Sequence, residues 1–221
     1  MRYLEPVFLL KRFLLSITQS FSPMYNSLES FLLQVGFSWT AAKFTPYVLT
    51  LVLGYFVFRL LSKLHIKAWL KMSLMALGFC LPFLTYFAFY PIYEADLQDK
   101  TFKPLQAGMR LPAAKTLVLV ILPGCPYCME TIELSKKMVE LNPKINIQYL
   151  LASEDQEGFQ YFRKRLPSNI GVKRAQNSML CMLMAQGEFP SYFLVAKGKV
   201  KTAWHNTQFG VRALDQINSF F

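Results

Sequence analysis

From Met72 to Tyr93 the chain runs 22 residues without a charge: MSLMALGFCLPFLTYFAFYPIY. As a helix this stretch reaches ~33 Å, enough to cross the hydrocarbon core of a bilayer. Few helices of a soluble protein are this long and apolar on every side. Tyr86, Tyr90 and Tyr93 crowd the C-terminal end, as an interfacial aromatic belt does. Pro82 inside the run predicts a kink. This one stretch removes an ordinary soluble domain from consideration for the first half of the chain.

A second span is expected upstream. Phe44 to Phe58 is uncharged and is followed by Arg59, Leu60 and Leu61. Arg59 and Lys43 can carry their charged heads to the interface while their stems stay in hydrocarbon, so Phe44–Ser62 reads as a transmembrane helix. Residues 1–43 read differently. Val7–Ser20 is apolar but holds Lys11 and Arg12 in its middle. That placement disfavours a span and a cleaved signal peptide, and fits an amphipathic helix lying in the interface. Ser22-Pro23 ends it. Leu28–Trp39 is a second interfacial helix or an extension of the first span.

Charge gives the expected topology. The connector between the spans holds Arg59, Lys63, Lys67 and Lys71 and no acid, whereas Glu94, Asp96 and Asp99 follow the second span. Cations at membrane ends favour the cytoplasmic side. Both termini are then expected on the opposite side, the periplasm of a bacterial inner membrane. The chain as a whole has 24 Lys and Arg against 13 Asp and Glu, net +11. The cations of the second half are dispersed and accompany no nucleic-acid motif, so they read as a solvated basic face. No nucleic-acid partner is expected; anionic lipid headgroups suit this charge.

After a polar linker, 94–115, the pattern changes. Thr116–Leu122 is a continuous run of Val, Leu and Ile, as in a central strand buried on both faces. It passes through Pro123-Gly124 into Cys125-Pro126-Tyr127-Cys128. Met129–Leu141 has helical spacing, Ile145–Leu151 reads as a strand and Phe159–Leu166 as a helix. Met179–Ala185 is ambiguous. Ser191–Ala196 and Lys199–Trp204 flank Lys197-Gly198 as a hairpin, and Val211–Phe221 closes the chain as an amphipathic helix. Two cysteines with two residues between them at a helix start are close enough to bridge. Cys125 would sit where free amides and the helix dipole favour a thiolate, making it the nucleophile. Cys128, one turn in, is suited to resolve a mixed disulfide. Pro126 fits the first helical turn, and Tyr127 reads as a shape and contact residue.

This order of strand, Cys-x-x-Cys, helix, strand, helix, and a proline-led hairpin and helix resembles the thioredoxin fold over about Lys115 to Phe221. Cys125-Pro126-Tyr127-Cys128 is similar to the dithiol motif of glutaredoxins and of some periplasmic disulfide enzymes. Phe189-Pro190-Ser191 resembles the family's cis-proline segment, and Lys197 to Trp204 is similar to thioredoxin-domain tails of membrane-anchored bacterial proteins. The resemblance implies a redox-active pair, Cys125 and Cys128, and a substrate-binding rim of Phe189, Pro190, Pro126 and Tyr127. Three departures stand out. Gly124 replaces the family's Trp before the motif, the Thr116–Leu122 strand lacks its carboxylate, and 62 residues separate Cys128 from Pro190, implying an inserted helical piece.

The expected architecture is therefore an α/β thioredoxin-like domain (116–221), a central mixed sheet flanked by helices. It is attached to an N-terminal helical membrane region with two transmembrane helices, about 44–62 and 72–93. Cys80, mid-span, reads as a small apolar filler, Cys181 as a buried residue or a second redox thiol, His205 as a surface residue, and Met179, Met182 and Met184 as core. Cys181 and His205 lack the paired short spacing of a zinc site, so no metal and no cofactor is expected. The function expected is thiol–disulfide exchange with protein thiols and disulfides. The competing reading is an accessory subunit of a membrane protein complex, using the domain to dock and residues 1–43 to meet partner helices.

Overall fold

The structure, a computed structural model, describes residues 28–105 and 110–221. The amphipathic helix expected over Val7–Ser20 lies outside them. The described chain divides into two compact units, Met1–Ile92 and Tyr93–Phe221.

In the first unit residues 28–34 are helical (α1). Gly36 stops α1 in the left-handed region at φ +96. There the Gly36 N–H donates to the Leu33 carbonyl and the Phe37 N–H to that of Leu32, a paired closure that glycine allows because it has no Cβ. Leu28–Trp39 is thus neither one helix nor a smooth extension of the next. A new helix, α2 (Trp39–Ser62), begins at Ser38, whose hydroxyl accepts the Ala41 N–H at 3.1 Å. After a short connector, α3 (Ala68–Phe89) continues unbroken through Pro82 and stops just before Tyr90-Pro91, because the residue before a proline is pushed out of helical geometry.

Helices α2 and α3 pack against each other at small residues. A Cβ on Gly54 would overlap the Phe79 carbonyl, and one on Gly78 would meet Leu61 and Val57 side chains. Close backbone approach through glycine is how apolar helices gain contact without a hydrophobic drive between them. Tyr47 sits edge-on to Tyr86 and donates its hydroxyl to the Tyr90 carbonyl. The outward side chains, such as Phe56, Trp69, Leu77 and Leu84, are exposed, and α3 buries none of its residues. By length and composition both helices suffice to cross a membrane.

The second unit has a thioredoxin-like fold. It runs α4 (Glu94–Leu97), β1 (Thr116–Ile121), α5 (Pro126–Leu141), β2 (Ile147–Leu151), α6 (Gln156–Arg165), β3 (Gly171–Arg174), α7 (Ser178–Met184), β4 (Ser191–Ala196), β5 (Lys199–His205) and α8 (Val211–Phe220). The five strands lie in the order β3-β2-β1-β4-β5, with β1, β2 and β3 parallel and β4 and β5 antiparallel to their neighbours. Every residue of β1 is buried, as its unbroken apolar run requires. One row across the sheet is Val172, Tyr149, Leu119, Tyr192 and Trp204. Its Tyr149 hydroxyl reaches α5 at Ser135, 2.7 Å, and the Thr131 carbonyl, 2.9 Å, and Phe162 of α6 packs on the Tyr149 ring. On the other face Val118, Val120, Leu150 and Phe193 form a core with Cys181, Met184 and Ala185, from α7 and its C-terminal end. The β4–β5 turn places Lys197 and Gly198 both at positive φ, as a two-residue hairpin with the twist of its strands demands.

Two readings need correction. The insertion between Cys128 and Pro190 is not purely helical: it adds the edge strand β3 along with α7. Of the methionine cluster only Met184 is core; Met179 and Met182 are exposed, because the seven-residue α7 has only one face on the sheet. The stretch read as a linker also carries structure. The Asp96 carboxylate, buried, accepts the Tyr93 N–H at 3.1 Å and the Val211 N–H at 3.4 Å, tying α4 to the start of α8. Phe102 donates its N–H to the Ala203 carbonyl and packs its ring on Phe193 and His205.

Gly210 marks how tightly α4 docks. Any Cβ there would overlap the Ala95 carbonyl, which belongs to backbone and cannot swing away. Gly210→Ala should therefore destabilise the full chain by about 1–3 kcal/mol, the usual cost of overpacking, read as the urea midpoint in detergent. Gly171→Ala, with nothing nearer than 3.7 Å, should stay within about 0.5 kcal/mol of the parent.

Candidate functional site

Strand β1 delivers the motif to the C-terminal end of the sheet's central strand. The chain leaves it through Leu122 and Pro123 and turns at Gly124, φ +71, a conformation that a side chain at this position would strain. Where the family's Trp was missed, backbone geometry thus asks for glycine. Cys125 is extended and serves as the N-cap of α5, with Pro126 in the first turn. Its Sγ accepts the Cys128 N–H at 3.3 Å, and the Cys125 carbonyl accepts the Met129 N–H. An amide aimed at the sulfur from a helix N-terminus suits an anionic sulfur.

The two thiols differ in surroundings. Cys125 is partly exposed, while Cys128 has no accessible surface. Burial raises the Cys128 thiol well above its ordinary range, and its hydrogen bond with the Cys125 sulfur adds to that shift. The outer sulfur is thus the one that can attack, and the inner one keeps its proton until then.

The strand β4 brings the third part of the site. The Phe189–Pro190 peptide bond is cis, and the Phe189 carbonyl lies 3.9 Å from Cys125 Sγ, at the long limit for a thiol donor. Cys125, Cys128, Phe189 and Pro190 are therefore brought together across 60-odd residues of sequence. Pro126 and Tyr127 are exposed in the first turn of α5, forming a rim beside the sulfur. An open groove lined by Leu122, Pro123, Ser153, Asp155 and Met182 adjoins the residues that lead into the motif. A separate cavity of about 380 Å³, lined by Arg110, Lys173 and Asn177 among others, includes neither cysteine.

Several neighbours of the site were not legible in the sequence. Tyr149 is fully buried beneath α5, its phenol pushed up to about 12 by burial, and it hydrogen-bonds Thr131, whose hydroxyl donates to the Cys128 carbonyl at 2.7 Å. His205, expected at the surface, is buried on β5 beside Ser191, because Phe102 from the supposed linker covers it. Cys181 is buried, and desolvation pushes its thiol up to about 12; Cys80 is exposed on α3. Among the described residues no group of three His, Cys, Asp or Glu side chains is placed to hold a metal.

No family profile and no curated protein matches the chain. Among solved structures it is similar to a secreted disulfide oxidoreductase of Mycobacterium tuberculosis, described as homologous to DsbE of E. coli. That match has 14% identity, covers 56% of this chain and 96% of the other, and has a TM-score of 0.40. It is also similar to a thioredoxin-like protein of Bacteroides caccae, at 14% identity, 76% of each chain and a TM-score of 0.36. The fold assignment rests on the element order, with the dithiol at the head of α5 and the proline-led hairpin beside it.

In the reduced protein at pH 7.5, iodoacetamide should modify Cys125 at least tenfold faster than Cys128 or Cys181, measured by mass spectrometry of peptides. Equal rates would contradict the burial described. The raised thiols also set a pH dependence. The unfolded chain ionises its cysteines near pH ~8.5, while the folded chain holds the Cys128 and Cys181 protons. The folded state then binds more protons, so the stability of the reduced protein should fall as pH rises above ~8.5. Cys181→Ala should lessen that fall in urea midpoints taken from pH 7.5 to 9.5.

Proposed function

We propose that the chain is a membrane-anchored thiol–disulfide oxidoreductase acting on protein substrates through Cys125 and Cys128. The observation that carries this reading is the placement of Cys125: partly exposed, at a helix N-terminus, with an amide on its sulfur and the Phe189 carbonyl 3.9 Å away. In the reducing direction the Cys125 thiolate attacks a substrate disulfide, forms a mixed disulfide and expels one substrate thiolate. Cys128 then attacks Cys125 Sγ, loses its proton and releases the second substrate thiolate. Two electrons pass from the dithiol to the substrate, and the pair ends as a disulfide. Oxidation of a substrate dithiol is the same sequence reversed, and the reduction potential selects between them. The backbone at Phe189 and the rim of Pro126 and Tyr127 offer an extended substrate segment a place to lie.

Helices α2 and α3 are read as the anchor, because their exposed apolar faces would be costly in water and are at no cost in lipid. The cations Arg59, Lys63, Lys67 and Lys71 lie at or between the helix ends and favour a cytoplasmic connector. On this reading the redox unit faces the periplasm of a bacterial inner membrane.

Cys128→Ser should accumulate mixed disulfides with protein partners, released by dithiothreitol on non-reducing gels; Cys125→Ser should accumulate none. A chain in which neither variant traps a partner and neither thiol reduces a protein disulfide would instead favour a docking subunit. Single cysteines placed at Ser62 and Gln98, with the native cysteines replaced by serine, should react with an impermeant maleimide from opposite sides of the membrane. Labelling of both from one side would overturn the two-span arrangement.

A further inference from the structure

We propose that His205 is a positioning residue for the loop facing Cys125: protonating it draws Glu188 onto the imidazole, reshapes the Glu188–Ser191 turn and slows exchange with protein substrates at low pH. This inference rests on the exchange reaction proposed above.

The geometry begins with one proton. His205 on β5 lies directly across from Ser191 on β4, with Nδ1 3.1 Å from the Ser191 hydroxyl. That hydroxyl donates to the Glu188 carbonyl at 2.6 Å. A hydroxyl has a single proton to give, so Nδ1 must be the donor in the other bond. The neutral ring therefore carries its proton on Nδ1 and leaves Nε2 to be protonated. The Phe102 ring stacks on the imidazole at 3.6 Å, and the residue keeps only 5% of its surface.

The Glu188 carboxylate sits 3.8 Å from the same Nδ1, with its side chain more than half exposed. Among the described residues it is the ionisable group that faces the ring. Phe102, Ser191 and Gln208, from the other elements packed there, are uncharged. While the ring is neutral, the Nδ1–H has a hydroxyl partner and Glu188 has no charge to meet. Once the ring is an imidazolium, a carboxylate accepts from it far better than a hydroxyl does. Burial opposes that charge and holds the His205 pKa below its ordinary value, with Glu188 pulling the other way. The change therefore falls on the acid side of ~6.5.

The loop converts this local event into one at the sulfur. Glu188 and Ser191, the two groups that compete for Nδ1–H, bracket Phe189 and Pro190, and the Phe189 carbonyl faces Cys125 Sγ at 3.9 Å. Drawing Glu188 inward loosens its carbonyl from Ser191 and moves the backbone on which a substrate segment would pair.

The test uses the full chain in detergent, prereduced and mixed with insulin as the disulfide substrate. Single-turnover exchange rates are compared from pH 7.5 to 5.0 for the parent, His205→Asn and Glu188→Gln. Each rate is divided by the iodoacetamide rate of Cys125 in the same protein, which removes the effect of Cys125 ionisation. Asn keeps a donor where Nδ1 was, and Glu188 is exposed, so its variant keeps the fold even where the buried one does not. The parent's normalised rate should drop at least threefold on acidification, and the drop should vanish in Glu188→Gln. In parallel, NMR follows the imidazole of His205 (one of two histidines in the chain) and the amides of Phe189, Ser191 and Tyr192. Those amides should titrate with the midpoint of His205. Amides that stay fixed while His205 titrates would overturn the inference, as would titrating amides with a flat normalised rate. Absence of exchange at every pH would sink the oxidoreductase reading and this inference with it, whereas a flat but finite rate would leave that reading standing and remove only the role of His205.

Discussion

Burial of β1 on both faces is the constraint on which the second unit depends. Six consecutive apolar or small side chains leave the strand only one place, the middle of the sheet. With β1 central, its C-terminal end becomes the position where a following helix must begin. The left-handed turn at Gly124 sets the direction of α5, and Cys125 becomes its N-cap. At the first turn the Cys128 amide, which has no carbonyl partner within the helix, donates to the Cys125 sulfur. Parallel pairing with β2 and antiparallel pairing with β4 fill both flanks of β1. The second of these carries the Phe189 carbonyl to the cysteine.

The two units apply the same apolar logic in different surroundings. In the thioredoxin-like unit apolar side chains are hidden between sheet and helices, and the helices show alternating polar and apolar faces. In α2 and α3 there is no polar face, contact comes through Gly54 and Gly78, and the aliphatic and aromatic side chains point outward. The cations Arg59, Lys63, Lys67 and Lys71 lie at or between the ends of the two helices.

The segment Tyr93–Phe102 shows how polar residues can be structural. Asp96 is buried because it satisfies two backbone N–H groups, one at the start of α4 and one at the start of α8, and a buried carboxylate is tolerated when it is hydrogen-bonded. Phe102 then covers His205 and Phe193. Composition reads this stretch as a polar linker, because it does not register that one partner of the Asp96 carboxylate, Val211, lies 115 residues away. The same holds for Met179 and Met182, whose apolar character said core while the geometry of a one-sided helix left them exposed.

The sequence by itself determined the local features: two helices long and apolar enough for a bilayer, a central strand, the dithiol at a helix start, and the Lys197-Gly198 hairpin. Each depends on neighbouring residues, through the period of apolar side chains, the missing N–H of proline or the free φ of glycine. Tertiary structure alone decided what distant segments do to one another. It added β3 to the sheet edge, set Tyr149 and Thr131 beneath Cys128, buried His205 against Ser191 and brought the Phe189 carbonyl to Cys125. Those contacts join residues far apart in the chain, and they form because strand pairing and burial of the sheet faces select one arrangement, which no local pattern encodes.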